Sequence, residues 1–172
     1  MKTSYIKSLD TLAIKSSPTQ LQYRWMEEVV MRASDKDVNE LVPLIIQLWP
    51  DNTLDDAEET LREYISGEHS VAIAHVMDGK CVGLALYGLR HDYVEGCNTC
   101  PVGYLEGIVV DQDYRKKGIV GILCKECEEW AKEHGGTEFA SDCELFNEES
   151  LRFHLRIGFK EENRIICFKK EI

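Results

Sequence analysis

The sequence predicts a mixed α/β domain in which a central sheet carries helices on both faces. Three observations carry that prediction. Two apolar runs, "SVAIAHVM" and "CVGLALYGL", flank Asp78-Gly79, a strong signal for a β-hairpin with a type I′ turn. The stretch "YLEGIVVDQDYRKKGIVGILC" passes from an apolar strand through a basic, glycine-bearing turn into a helix of period 3.6. "TEFASD" follows that helix, so strand, helix and strand form a right-handed crossover whose two strands lie parallel.

The elements follow in chain order. Residues 1–26 are polar and weakly periodic, which predicts a flexible or loosely docked N-terminal extension, with a single folded domain over 27–172. "VVMRA" (29–33) reads as the first strand. Ser34, with Asp37 three residues on, marks a helix start, and Val38, Leu41, Ile45, Leu48 and Trp49 form its apolar stripe. Pro43 lies inside that helix and is expected to kink or break it, and Pro50 ends it. Thr53 and Asp56 open a second helix that buries Leu61, Tyr64 and Ile65 and closes at Gly67. The hairpin strands run over about 70–77 and 80–89, a polar loop over 90–101, and a fourth strand over about 102–111. The next helix, Ile119 to His134, buries Ile119, Ile122, Leu123, Cys127, Trp130 and Ala131 at spacings of 3, 4 and 7. A fifth strand (137–142) follows Gly135-Gly136. Asn147 caps a last helix, with Phe146 and Leu151 as a hydrophobic staple, and "RIICFKK" (164–170) is expected as a final strand. The sheet is thus mostly antiparallel, with one parallel pair formed by the fourth and fifth strands.

Composition narrows the function. A chain of 172 residues has room for one real core, and no apolar run approaches the roughly 18 residues of a membrane span. The first residues lack a compact apolar stretch, so a cytoplasmic protein without membrane contact is expected. With 20 basic and 31 acidic side chains the formal charge is −11, which disfavours nucleic acid and favours a cationic ligand. Seven cysteines argue against a disulfide framework. Cys97/Cys100 and Cys124/Cys127 have zinc-like spacing, but the second pair falls within regular helix, so no metal is expected.

Against that acidity, Arg115, Lys116 and Lys117 stand together at a helix entrance. The first amides of a helix lack intrahelical partners and the dipole is positive there, so adjacent lysines cost about a few tenths of a kcal/mol each unless an anion compensates. Gly118 and Gly121 let the backbone come close to a phosphate. The spacing is neither that of a P-loop nor that of a dinucleotide-binding turn.

R-x-x-G-x at a strand-to-helix turn resembles the acyl-CoA signature of the GNAT family of N-acetyltransferases, usually [QR]-x-x-G-x-[GA]; here Val120 holds the last position and Gly121 follows. "NEESLRFHLRIGF" is similar to that family's second marker, and the chain order matches its fold from about residue 28 onward. "DYVEG…PVGYLEGI" with "WAKEHGGTEFASD" further resembles the aminoglycoside 6′-N-acetyltransferases. The resemblance implies acetyl-CoA as cosubstrate, held by Arg115, Lys116, Lys117, Gly118, Val120, Gly121 and Asn147 and by strand amides near Val109 and Val110. It implies a homodimer, and an aminoglycoside pocket lined by Trp49, Tyr93, Glu106 and Asp142.

Two acids stand out without the resemblance. Glu106 interrupts an apolar strand, on one face with Tyr104 and Ile108, and a carboxylate there needs a partner or a wet pocket. Asp142 ends the fifth strand, where open parallel sheets place ligands. Neighbouring strands let the two acids converge. Either one can accept the proton of an attacking amine; the reading leans to Glu106 through a water, with Asp142 holding the amine. Trp49 and Tyr93 offer flat faces to sugar rings and ammonium groups. By pattern alone Trp49 serves the core equally well. Asp51, Asp55, Asp56 and Glu59 are an acidic rim or simply a solvated helix face. His154 is either the acid that protonates a leaving thiolate or a packed ring beside Leu151 and Leu155. Other polyamines, protein amines, or coenzyme A binding without turnover remain the rival functions.

Overall fold

The computed structural model describes residues 27–172 and the short pairs 11–12 and 24–25, so most of the segment read as an N-terminal extension lies outside the described residues. Thr11–Leu12 and Arg24–Trp25 pair antiparallel. The domain is a five-stranded sheet in the order β1-β2-β3-β4-β5: Glu28–Arg32 (β1), Ser70–Met77 (β2), Lys80–Arg90 (β3), Val102–Val110 (β4) and Phe139–Ser141 (β5). The first three junctions are antiparallel and β4–β5 is parallel, as the sequence predicts. Asp78 and Gly79 both take positive φ, 50° and 78°, which a type I′ turn demands.

Four described helices cover the sheet: Val38–Leu48 (α1), Leu54–Ser66 (α2), Ile119–Glu133 (α3) and Glu148–Arg156 (α4). On one face α1 and α2 bury Leu41, Ile45, Ala57 and Leu61 against Leu84, Leu86 and Val109. On the other, α3 buries Ile119, Leu123, Cys127 and Trp130 against Ala85, Tyr87, Leu105 and Val110. The alternation along β3 and β4 is what lets each strand contribute to both cores.

Four details correct the sequence reading. Pro43 does not break α1: its ring lies on the exposed side, where water can take the carbonyl it leaves unpaired. Phe146 is 90 % exposed, so no hydrophobic staple forms at α4, whose start is held instead by the Asn147 side chain accepting from the Ser150 amide at 3.0 Å. Residues 164–170 form no strand: the segment leaves α4 tied to the 91–101 loop by Asn163 Nδ2 on Glu95 Oε1 (2.8 Å), and beyond that tie it runs exposed. Ile108 does not share a face with Glu106. Leu86 pairs with Gly107 but Tyr87 with Leu105, so Glu106 is an extra residue, a β-bulge, and parity reverses across it. Ile108 consequently packs on the α3 side.

Candidate active site

The parallel β4–β5 ladder is short. It runs from Gly103–Phe139 through Tyr104–Ala140 to Leu105–Ser141 and stops. Glu106 and Asp142 are the next residue on each strand, so the two sequence-predicted acids flank the point where the strands part. Beyond it β4 continues to Val110 with no described strand on that edge; alternation turns the Val109 amide, expected at the cofactor, toward Leu84 of β3, and leaves that of Val110 facing outward to an extended amide-bearing ligand.

The bulge aims Glu106 at Arg90, the last residue of β3. Arg90 donates to Glu106 Oε1 from Nη2 at 2.8 Å and from Nε at 3.2 Å. Its guanidinium lies 3.3 Å from the centre of the Tyr104 ring, a stacked cation–π contact. Burial works against the Arg90 charge, but the Glu106 hydrogen bond and charge more than offset that, and its pKa is raised. Tyr104 is buried, and burial first and Asp142 second push its pKa well up, so it is a neutral phenol in reach of that carboxylate. From α2, Tyr64 joins the cluster; burial and then the Glu106 charge raise its pKa to about 12. Sequence reasoning missed Arg90, Tyr64 and the part played by Tyr104. The one available signal was a lone arginine opening the predicted polar loop of an acidic chain.

The predicted aromatic residues separate. Trp49, at the end of α1, lies over Gly107: a Cβ there would come within 3.0 Å of the indole, so this glycine is what lets the ring settle on β4 beside Glu106. Tyr93 stands in the 91–101 loop, 78 % exposed, with its hydroxyl donating to Glu95 at 2.7 Å. Asp56 belongs to the helix cap, accepting from the Thr53 amide and hydroxyl, while Asp51, Asp55 and Glu59 are solvent-exposed.

His154 sits in a chain of hydrogen bonds. Its Nδ1 faces the Ser150 carbonyl at 2.7 Å and so donates; Nε2 stands 2.9 Å from the Ser141 hydroxyl, which is also 2.9 Å from the Leu105 carbonyl. Phe153 and Phe159 flank the ring.

At the other end of β4 the basic turn is held open. Asp111 accepts from the Asp113 amide (3.0 Å), and Arg115 Nε reaches back to the Val110 carbonyl (3.3 Å). Lys116 and Gly118 both adopt left-handed backbone, φ 64° and 83°, a local geometry that turns successive amides to one side. Gly118 precedes α3 without a side-chain cap, the first turn carries no acid, and a Cβ on Gly118 or Gly121 would meet nothing within 4 Å. Val120 packs toward the α3 core, so the departure from glycine at that position is absorbed inward. A bare helix end with left-handed, basic backbone before it fits a pyrophosphate. Asn147, expected near the cofactor, is engaged as the α4 cap. Among the described residues no group of three His, Cys, Asp or Glu side chains converges to hold a metal, and all seven cysteines are free. No described helix is long and apolar enough to cross a membrane.

A transferase that draws its acyl group from coenzyme A is the class of protein this arrangement describes. The chain belongs to the acetyltransferase (GNAT) family, whose model matches residues 38–159. A relative from Serratia marcescens, aminoglycoside N(6′)-acetyltransferase type 1, is 37 % identical over 126 residues, 73 % of this chain and 86 % of that one. Among solved structures, aminoglycoside N-acetyltransferase AAC(6′)-Iy in complex with CoA superposes with a TM-score of 0.82 at 30 % identity, covering 87 % of this chain and 98 % of that one. The same enzyme with the bisubstrate analogue CoA-S-monomethyl-acetylneamine gives 0.80 at 30 % identity, over 85 % and 99 % of the two chains.

Proposed function

We infer that this protein transfers the acetyl group of acetyl-CoA to the 6′-amine of an aminoglycoside. The single observation that carries the reading is the pair Glu106 and Asp142 at the end of the parallel ladder, directly beside an open strand edge that leads to a bare helix end. The relatives' substrates support it, and so does the net charge of −11, since the acceptor is a polycation.

The chemistry assigned to the chain's own residues is as follows. The α3 amino end with Arg115, Lys116 and Lys117 holds the pyrophosphate, and the free edge of β4 at Val110 grips the amide-bearing arm and polarises the thioester carbonyl. Trp49 and Tyr93 contact the sugar rings and ammonium groups. An ammonium cannot attack, so its proton passes to a carboxylate. Glu106 accepts it through a water while Asp142 holds the amine. The amine nitrogen then bonds to the carbonyl carbon, the carbon–sulfur bond breaks, the nitrogen gives its second proton to water to become the neutral amide, and the sulfur leaves as thiolate. His154, linked through Ser141 to β4, returns a proton to that sulfur.

Residues 27–172 constitute the single acetyltransferase domain, acting in the cytoplasm on antibiotic that has entered the cell, where acetylation confers resistance. The protein acts as a homodimer. Its exposed tail residues Ile165, Ile166 and Phe168 and the outer edge of β5, which no described strand covers, support this, because an extended apolar segment and an open sheet edge are complementary between copies. Removing residues 164–172 is expected to halve the mass in light scattering; a full-length chain that is monomeric at micromolar concentration excludes the dimer.

Acetyl-CoA turnover measured with kanamycin, with spermidine and without acceptor tests the activity. Turnover with kanamycin far above spermidine is expected. Turnover with spermidine alone would reassign the substrate, and none with any amine would leave a coenzyme A-binding module.

A further inference from the structure

Two carboxylates are enough to hold a cationic acceptor, yet the structure inserts a third charge of opposite sign between them. Arg90 contacts Glu106 with two nitrogens, at 2.8 and 3.2 Å, and stacks on Tyr104 at 3.3 Å. Its charge is felt by Asp142 as well, and Tyr104 in turn is in reach of Asp142. The order Glu106–Arg90–Tyr104–Asp142 therefore bridges both sides of the strand separation. Its side chain is 37 % exposed and that of Glu106 28 %, so the pair borders the pocket rather than lying in the core.

We propose that Arg90 is a positioning and charge-setting residue: it occupies one oxygen of Glu106, fixes that carboxylate against Tyr104, and reduces the two-acid pocket to one net negative charge. The assignment rests on the acceptor being cationic, as the proposed function has it.

The consequence concerns proton release. An acceptor ammonium facing two free carboxylates is stabilised by both and gives up its proton reluctantly. Facing Asp142 and a Glu106 already paired with Arg90, it is bound by one full charge and deprotonates more readily. Arg90 thus trades ground-state binding for reactivity. The charged and titratable groups packed on this cluster are Tyr64 of α2 with Glu63 beside it, Arg90 of β3, Tyr104 and Glu106 of β4, and Asp142 after β5. The two tyrosines have raised pKa values and stay neutral through the working range, which leaves the arginine and the acids, with His154 behind Ser141, to set the local charge.

The test is the pH profile of kcat with kanamycin for wild type, Arg90→Gln and Arg90→Lys, with acetyl-CoA binding measured alongside. In Arg90→Gln the acidic limb is expected to move up by about one pH unit, kcat at neutral pH to fall roughly tenfold, and KM for kanamycin to fall rather than rise. Arg90→Lys keeps the cation but loses the planar fork, so its limb stays where wild type has it while kcat falls partway. Acetyl-CoA affinity is expected to be unchanged in both. A limb that does not move in Arg90→Gln, or that moves equally in Arg90→Lys, overturns the proposal. Should Arg90→Gln not fold, the double variant Arg90→Gln/Glu106→Gln against Glu106→Gln decides: removing Arg90 should improve kanamycin KM in that background, and a further loss refutes the assignment. Wild-type enzyme that does not acetylate kanamycin at all would sink the substrate reading instead, a result distinct from each of these.

Discussion

His154 Nε2 stands 2.9 Å from the Ser141 hydroxyl, and that hydroxyl is equally close to the Leu105 carbonyl at the last position where β4 pairs with β5. A proton carried by His154 therefore has a single hydroxyl between it and the place where the strands part.

If that hydroxyl relays the proton, the two residues act as one. Ser141→Ala and His154→Gln should each lower kcat by about 10- to 100-fold, and the double variant should fall no further. Losses that multiply would show two unrelated roles. A fall in melting temperature with kcat preserved would make His154 a packing residue between Phe153 and Phe159.

Asp142→Asn separates the amine site from the cofactor site. Asp142 follows the end of β5, where the parallel ladder stops, whereas the α3 amino end lies further along, past the end of β4 at Val110. Turnover should drop at least about 100-fold, while acetyl-CoA affinity changes less than twofold. Equal loss of both would contradict the assignment of this acid to the acceptor.

Gly103 is a stability position. A Cβ there would come within 2.8 Å of the Tyr87 ring, and closer still to its hydroxyl, and Tyr87 is fully buried against Trp130 and Phe139. Gly103→Ala overpacks a rigid aromatic cluster and should cost about 3 kcal/mol or more, read as a shift in the urea midpoint at constant slope. A cost below about 1 kcal/mol would mean that the ring can move.

A pH effect on stability should come from His75. The residue is fully buried on β2; its Nε2 is 2.9 Å from Glu28 Oε1 but poorly aligned for a hydrogen bond, and Nδ1 has no described partner. Burial lowers its pKa, with the Glu28 charge opposing. A histidine depressed in the folded state binds its proton more readily when unfolded. Its contribution is therefore complete above the unfolded value near 6.5 and is lost as pH falls below it. Urea midpoints should decline from pH 7 toward pH 5, and His75→Leu should flatten that decline. An equal decline in the variant would place its origin elsewhere.

Much of this architecture is legible in the sequence because local chemistry dictates it. Asp78-Gly79 accepts two positive φ angles, and the period of Ile119–Glu133 admits only a helix. Glu106 was visible as a charge that interrupts an apolar strand. Arg90 was not: it closes one strand and begins a polar loop, and its partner is 16 residues away through a bulge that no local pattern announces. The final strand failed for a related reason. "RIICFKK" has the composition of a strand, but pairing requires a free edge within reach, and the tie at Asn163 holds the segment elsewhere.

The bulge at Glu106 splits β4 into two halves whose side-chain parity is set independently. Tyr104 and Glu106 belong to the acceptor half, and Val109 and Val110 to the thioester half. Evolution, or a laboratory library, can thus diversify residues on the near side of the bulge to suit a new antibiotic while the acetyl-donor machinery on the far side stays in step. A deletion of the extra residue would instead merge the halves into one regular strand, each still on its present face, and remove the acceptor's carboxylate while the donor side stays in register.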